Sequence, residues 1–192
     1  MKIIFLDRDG VINEFPGNGN YVTKLKEFHF IPGSLEALKR FKDHGYTVFV
    51  VSNQAGVGKG IYSQKKLDLI NRRMNEEVVK TGGKIEKAYY CTHTNQQNCD
   101  CRKPGIGSIR AAMSVMKKPL TDAQYGYFVG DTEIDIAAGK NAGCKTIFVL
   151  SGMQNRRLVA GWKVRPDYIV KDLLAATDII ISNGHHSHRK TK

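Results

Sequence analysis

Phe5-Leu6-Asp7-Arg8-Asp9-Gly10-Val11 lies near the start of this 192-residue chain, and the interpretation of the remaining sequence follows from it. The residues up to Leu6 form a short apolar run, which is typical of a buried parallel strand. The run ends abruptly in two carboxylates, Asp7 and Asp9, that are one residue apart. Ligands of open α/β sheets bind just beyond such strand ends, and paired carboxylates there suit a metal-assisted reaction. An acidic turn without a function is the alternative, and other parts of the chain have to distinguish the two.

The remaining sequence alternates between strand-like and helix-like segments. Further strands are predicted at 46–51, 85–90, 125–129, 145–150 and 168–170. Helices are predicted from Ser34 to the turn at Gly45, from the cap Ser63 to Gly82, at 108–117, before Gly143 and at about 173–181. This alternation predicts an α/β fold, a Rossmann-like parallel sheet flanked by helices and joined by right-handed crossovers.

Polar residues follow the carboxyl ends of the predicted strands. Because parallel strands end at one edge of the sheet, we expect these side chains to converge there. The converging residues are Asp7, Asp9, Ser52, Asn53, Arg102, Lys103, Asp131 and Asp135.

Composition is typical of a globular protein, with 41% hydrophobic and 25% charged residues. We expect one domain over residues 1–184, including a zinc-binding loop at 91–104, and a disordered basic tail at 185–192. No apolar run is long enough for a membrane span, and the N-terminal residues lack a signal-peptide pattern, which favours a cytoplasmic protein. We expect a monomer that has no membrane partner.

The formal net charge of +12 indicates an anionic partner. Nucleic acid is one candidate, but no basic run is interleaved with aromatic residues as in a base-stacking surface. A small phosphorylated substrate would also favour positive potential. The charge alone does not distinguish these two classes, although nucleic acid is the less favoured partner.

The converging residues fit the hydrolysis of a phosphate monoester. Asp7 and Asp131 offer the hard oxygen ligands that suit Mg²⁺, and the Asp7 carboxylate can attack phosphorus. Asp9 can protonate the leaving alcohol and then activate water. Ser52 and Lys103 can bind and neutralise the transferring phosphoryl group. Taken singly, these residues also have non-catalytic interpretations. Ser52 could be a strand-end cap, Lys103 a solvated cation, and Asp131 or Asp135 an acid at a helix N-terminus.

A second group of residues has the composition of a structural zinc site. Cys91, His93, Cys99 and Cys101 supply three thiolates and one imidazole within eleven positions. Disulfides and ordinary reduced cysteines are the alternatives, and a cytoplasmic setting disfavours disulfides. Bound zinc would fix the direction of the following Arg102, which can grip a second anionic group. Cys144, in contrast, is predicted to be a buried core thiol.

Four segments resemble, in order, the motifs of the haloacid dehalogenase-like phosphatases: Asp-Arg-Asp-Gly at 7–10, Ser-Asn-Gln at 52–54, Lys103, and Gly130-Asp131 with Asp135. The resemblance covers residues 2–150. The short connection between the first two motifs resembles the capless subclass. With the Cys/His loop, the pattern is similar to the subfamily of D,D-heptose 1,7-bisphosphate and histidinol-phosphate phosphatases.

The resemblance implies a role for each matching residue. Asp7 would be the nucleophile and Asp9 the acid/base, while Ser52 and Lys103 would stabilise the phosphoryl group. Mg²⁺ would bind Asp7, the Asp9 backbone carbonyl and Asp131, and structural Zn²⁺ would bind Cys91, His93, Cys99 and Cys101. The substrate contacts would be Tyr21, Asn53, Gln54 and Arg102.

The resemblance also implies a phosphorylated sugar as substrate, with the 7-phosphate of a heptose 1,7-bisphosphate as the leading candidate. Histidinol phosphate and the 3′-phosphate of a nucleic acid end are the alternatives, and a zinc-stabilised binding module is the alternative from another class. Two departures from the family pattern affect substrate contacts: Thr132 replaces the Lys or Arg frequent in relatives, and Gly17-Asn18-Gly19 lengthens the first loop.

Overall fold

The computed structural model describes residues 1–186 and contains a six-stranded parallel sheet. The strands are β1 (Ile3–Leu6), β2 (Thr47–Asn53), β3 (Lys87–Cys91), β4 (Tyr127–Gly130), β5 (Lys145–Val149) and β6 (Tyr168–Val170). Their spatial order is β3-β2-β1-β4-β5-β6, which places β1 at the centre. Every neighbouring pair is parallel, as the alternation of strands and helices predicts.

Within the described residues, five α-helices cover the two faces of the sheet. They are α1 (Ser34–Asp43), α2 (Gln64–Lys80), α3 (Gly107–Val115), α4 (Glu133–Asn141) and α5 (Leu173–His186). Buried residues of α1, α2 and α5 pack with Ile4 and Leu6 on one face, whereas those of α3 and α4 pack with Ile3 and Phe5 on the other. Successive strand residues point to opposite faces, so β1 contributes to both cores. The Cys144 thiol lies in the second core, as predicted.

The strand bounds differ from the predicted ones at the edge that matters for function. β2 extends to Asn53 and β3 to Cys91, where the two residues pair with each other. Tyr125, predicted to begin a strand, instead ends a short 3₁₀ helix (Leu120–Tyr125), and 60% of its surface is exposed. Aromatic residues are frequent in strands, which explains the prediction, but the Tyr125 side chain faces solvent.

Further short 3₁₀ helices lie at Leu25–Glu27, Asn95–Gln97 and Arg156–Gly161. α2 begins as predicted, because the Ser63 hydroxyl accepts a hydrogen bond from the Lys66 amide. α5 extends further than predicted. The predicted disordered tail lies outside the described residues except for 185–186, whose backbone belongs to α5. None of the helices described is both long and apolar enough to span a bilayer.

Candidate active site

The carboxyl ends of β1, β2 and β4 border a cleft of about 210 Å³. The loop after β1 and the loop between β3 and α3 form its sides. All residues predicted for catalysis, magnesium and substrate line it except Gln54, namely Asp7, Asp9, Tyr21, Ser52, Asn53, Arg102, Lys103 and Asp131. The predicted convergence at one edge of the sheet is therefore confirmed.

Lys103 is buried between two carboxylates at the base of the cleft. Its Nζ lies 2.9 Å from Oδ1 of Asp7 and 2.6 Å from Oδ1 of Asp135. Burial alone would lower the pKa of Lys103, but the charges of Asp135 and Asp7 outweigh burial and raise it. Lys103 therefore carries a permanent charge beside Asp7, rather than the solvated cation of the alternative interpretation.

Asp7 combines burial with a strong cationic neighbour. Burial raises the pKa of Asp7 to about 6, although Lys103 acts in the opposite direction and Ser52 donates a stabilising hydrogen bond. The Arg8 amide also donates to Oδ1 of Asp7, at 2.8 Å. The carboxylate is thus fixed in direction and is ionised near neutral pH, which the nucleophile role predicted for Asp7 requires.

Asp131 faces Asp7 from the end of β4. Its Oδ2 accepts a hydrogen bond from the Met153 amide at 2.6 Å. Gly10, with φ of +82°, and Gly152 pack so closely against this carboxylate that a Cβ at either position would overlap it. Burial, followed by the charges of Asp135 and Asp7, raises the pKa of Asp131 well above its ordinary value.

Asp7, Asp131 and Asp135 each place a carboxylate oxygen within 4.8 Å of the others. One lysine only partly balances three carboxylates, so this cluster favours a bound cation, and hard oxygen donors suit Mg²⁺. The magnesium role predicted for Asp9 uses its backbone carbonyl, which leaves the Asp9 carboxylate available for other contacts.

The Asp9 carboxylate is held by side chains on both of its oxygens. Arg8 donates from Nε and Nη2 at 2.9–3.0 Å, and Asn13 Nδ2 donates to Oδ1 at 2.8 Å. Gln54 Nε2 donates to Oδ2 at 2.7 Å. Gln54 is completely buried, so the structure places this predicted substrate contact behind Asp9 and not on the cleft surface.

Asn53 connects β2 to the loop that carries Lys103. Its Nδ2 donates to the Lys103 carbonyl at 3.1 Å, and its Oδ1 accepts from the Lys103 amide at 3.0 Å. This reciprocal pair fixes the backbone of Lys103. Asn53 lines the cleft as predicted, and it also positions the lysine.

The predicted zinc ligands lie together at the end of β3. The sulfur atoms of Cys91, Cys99 and Cys101 lie 3.4–3.6 Å from one another, and His93 Nδ1 lies 3.3 Å from Cys101 Sγ. A tetrahedral site with Zn–S bonds of about 2.3 Å has edges of similar length. Burial and the neighbouring sulfurs raise the pKa of Cys101 to about 12, so several thiolates here need a compensating cation.

Arg102 follows this cluster and lines the cleft. Its Nη1 donates to the His93 carbonyl at 3.4 Å, which ties the guanidinium to the cluster. Ser108 donates from Oγ to the Cys101 carbonyl and anchors the other side of the loop to α3. The loop thus carries the cysteine cluster and the cationic side of the cleft together.

Three residues that hydrogen-bond to the predicted site residues were not singled out from the sequence. Arg8 and Asn13 hold Asp9, and Tyr62 donates its hydroxyl to Gln54 Oε1 at 2.6 Å. For Arg8, the position between two strand-end aspartates was an available signal. Tyr62 lies in a glycine-rich loop that offers no local pattern, and only the folded chain brings it to Gln54.

Comparison with known proteins gives the family. The HAD-hydrolase-like family model matches residues 100–176. A protein of Pseudomonas putida named D-glycero-beta-D-manno-heptose-1,7-bisphosphate 7-phosphatase is 35% identical over 176 residues, 92% of this chain and 97% of the relative. The corresponding alpha-anomer 7-phosphatase of Photorhabdus laumondii is 34% identical over 78% of this chain and 82% of the relative.

A solved structure agrees with these relatives. D,D-heptose 1,7-bisphosphate phosphatase from B. bronchiseptica, complexed with magnesium and phosphate, superposes with a TM-score of 0.86 at 30% identity. The match covers 95% of this chain and 99% of the other. The four motifs, the parallel sheet and these similarities lead to one conclusion: the chain belongs to the HAD-like hydrolase family, among its phosphatases.

Proposed function

We propose that the protein removes the 7-phosphate of D-glycero-D-manno-heptose 1,7-bisphosphate through an aspartyl-phosphate on Asp7. The observation that carries this proposal is the Asp7 carboxylate in the cleft, 2.9 Å from the Lys103 ammonium and beside Asp131. The similarity to heptose bisphosphate phosphatases over nearly the whole chain supports the choice of substrate.

The residues of the cleft supply each step of the reaction. An Asp7 oxygen bonds to phosphorus while the bond from phosphorus to the sugar oxygen breaks, and that oxygen takes a proton from Asp9. Asp9 then accepts a proton from the water that attacks the aspartyl-phosphate, which releases phosphate and restores Asp7. Lys103 and Ser52 neutralise and bind the phosphoryl oxygens.

Two metals complete the proposal. Mg²⁺, held by Asp7, the Asp9 carbonyl and Asp131, would screen the repulsion between the carboxylate and the phosphate. Zn²⁺, held by Cys91, His93, Cys99 and Cys101, would stabilise the loop. Both donor sets suit these ions, since clustered carboxylates favour Mg²⁺ and three thiols with an imidazole favour Zn²⁺.

Arg102 is the proposed contact of the second phosphate. It lines the same cleft as Asp7, and its guanidinium is attached to the zinc loop through the His93 carbonyl. A guanidinium can bind a phosphate bidentately, which favours a substrate with a second anionic group.

A substrate panel with Mg²⁺ tests this function. The panel contains both anomers of heptose 1,7-bisphosphate, fructose 1,6-bisphosphate, histidinol phosphate and a 3′-phosphorylated oligonucleotide. We expect the highest kcat/KM with a heptose bisphosphate and a heptose 1-phosphate as product. A preference for histidinol phosphate, or for the oligonucleotide with a steep salt dependence, would contradict the substrate assignment.

A further inference from the structure

Gln54 makes contacts that differ from those of a substrate ligand. Its side-chain amide is completely buried at the end of β2. Nε2 donates to Asp9 Oδ2 at 2.7 Å and to Ser52 Oγ at 3.2 Å, while Oε1 accepts from the Tyr62 hydroxyl at 2.6 Å. Both ends of the amide are thus occupied by protein, on the side of Asp9 that faces away from the cleft.

Tyr62 determines which end of the amide faces Asp9. Burial raises the pKa of Tyr62 to about 12, so its hydroxyl keeps its proton and donates to Gln54 Oε1. The opposite orientation of the amide would direct its oxygen at the Asp9 carboxylate and leave a buried acceptor facing an anion. The Tyr62 ring is buried and lies 6.1 Å, centroid to centroid, from that of Tyr21, which lines the cleft.

Arg8 and Asn13, which are also completely buried, supply the other side-chain donors to Asp9. Arg8 binds both Asp9 oxygens and lies over the Tyr90 ring at 5.5 Å. Asn13 occupies the remaining position on Oδ1. With donors on both oxygens, the carboxylate has little rotational freedom, and Gln54 is the one neutral donor on Oδ2 within residues 1–186.

We propose that Gln54, oriented by Tyr62, is a positioning residue that holds the Asp9 carboxylate against Arg8 and Asn13, at the point where Asp9 gives its proton to the leaving oxygen. This inference rests on the proposed phosphatase reaction. It replaces a direct contact between Gln54 and substrate with an action through Asp9, and it adds Tyr62 to the residues on which proton transfer depends.

The dependence of rate on the leaving group tests this role. An alkoxide leaving from a sugar phosphate needs a proton, whereas nitrophenolate leaves without one. Because kcat/KM includes the steps up to loss of the leaving group, a misplaced Asp9 lowers this ratio for the sugar phosphate much more than for p-nitrophenyl phosphate. A residue that contacts the sugar would instead raise KM for the sugar phosphate.

The experiment compares Gln54→Leu and Tyr62→Phe with the wild type on the best sugar phosphate of the panel and on p-nitrophenyl phosphate. For the sugar phosphate we expect kcat/KM to fall about 50-fold in Gln54→Leu and about tenfold in Tyr62→Phe, part of the range of general acid catalysis. For the sugar phosphate the loss should lie in kcat and not in KM. For p-nitrophenyl phosphate, kcat/KM should fall less than about threefold, because this ratio excludes the later attack of water on the aspartyl-phosphate.

Tyr46→Phe is the matched control. It also removes a buried tyrosine hydroxyl that donates a hydrogen bond, here to the Ile180 carbonyl at 2.9 Å, but far from the cleft. This variant should have the wild-type kcat/KM for both substrates.

The inference would be overturned by equal losses of kcat/KM on the two substrates, or by a change confined to KM for the sugar phosphate. It would also be overturned by variants whose kinetics match those of Tyr46→Phe. If Gln54→Leu does not fold, Tyr62→Phe gives the same decision alone. A wild-type protein that releases phosphate from neither substrate contradicts the proposed function instead.

Discussion

Lys103 shows at the scale of one residue how the site depends on buried charge. Its ammonium is 3% exposed and separates Asp7 from Asp135. Lys103→Met leaves two buried carboxylates facing each other, and we expect a loss of about 3 kcal/mol in unfolding free energy together with activity. Urea unfolding in magnesium-free buffer measures it.

Lys140→Met is the control for this variant. Lys140 pairs with Asp167 at the surface, where both side chains are about one-third exposed, so its loss should cost at most about 1 kcal/mol. Equal losses of unfolding free energy in the two variants would show that Lys103 does not offset a repulsion between Asp7 and Asp135.

Asp7 makes the stability of the metal-free protein depend on pH. Its pKa is raised by burial to about 6, above the 3.8 of an exposed aspartate, so the folded state binds more protons between these values. The contribution of Asp7 to the free energy of unfolding therefore rises as pH falls from about 7 to about 4, by on the order of 2 kcal/mol. The difference in urea-unfolding free energy between wild type and Asp7→Asn, measured across this range without Mg²⁺, isolates the effect. A difference that does not vary with pH would contradict it.

The convergence of the candidate catalytic residues on one cleft could be predicted from the sequence, but their side-chain surroundings could not. Asp7 and Asp9 follow an apolar run, and the ends of parallel strands meet at one edge, so their position is a consequence of fold class. The burial of Gln54 behind Asp9 depends on Tyr62, eight residues later in a loop without periodicity. The direction of a side chain in such a loop is set by tertiary packing.

At the scale of an element, the loop between β3 and α3 combines proposed zinc ligands with cleft residues. Cys99→Ser should lower the zinc content to well below one ion per chain and reduce activity about tenfold or more, because ligand loss weakens a structural site and releases Arg102. Elemental analysis and phosphate release measure the two effects.

Cys144→Ser is the matched control, since Cys144 lies in the core between the sheet and α4. It should keep full zinc content, whatever it costs in stability. Full zinc content in Cys99→Ser would refute the ligand assignment.

The first and last residues of the strands were less predictable from the sequence than the existence of the strands. The apolar runs predicted β1, β2 and β5 well, because buried parallel strands are apolar on both faces. β3 was predicted to begin two residues and to end one residue too early, because its end at Cys91 is fixed by pairing with Asn53 and not by composition. The extra residue matters, because Cys91 brings the predicted zinc ligands beside the end of β2.

At the scale of the whole molecule, alternation of strands and helices predicted the fold class, and the resemblance of four motifs predicted the family. The order of strands requires long-range pairing that no local pattern encodes. That order places β1 between β2 and β4, so the two aspartates of the first motif lie between Ser52 and Asp131. The order of the strands thus brings together residues that lie more than a hundred positions apart in the sequence.

The measurement that tests the whole account most directly is phosphate release from heptose 1,7-bisphosphate with Mg²⁺ by wild type, Asp7→Asn and Asp178→Asn. Asp178 is a surface carboxylate paired with Arg40, and its variant should match the wild type. We expect Asp7→Asn to remain folded and to lose at least about 10⁴-fold in kcat, as nucleophile removal does. A folded Asp7→Asn variant that keeps more than about one-tenth of wild-type turnover would contradict an aspartyl-phosphate mechanism at this site.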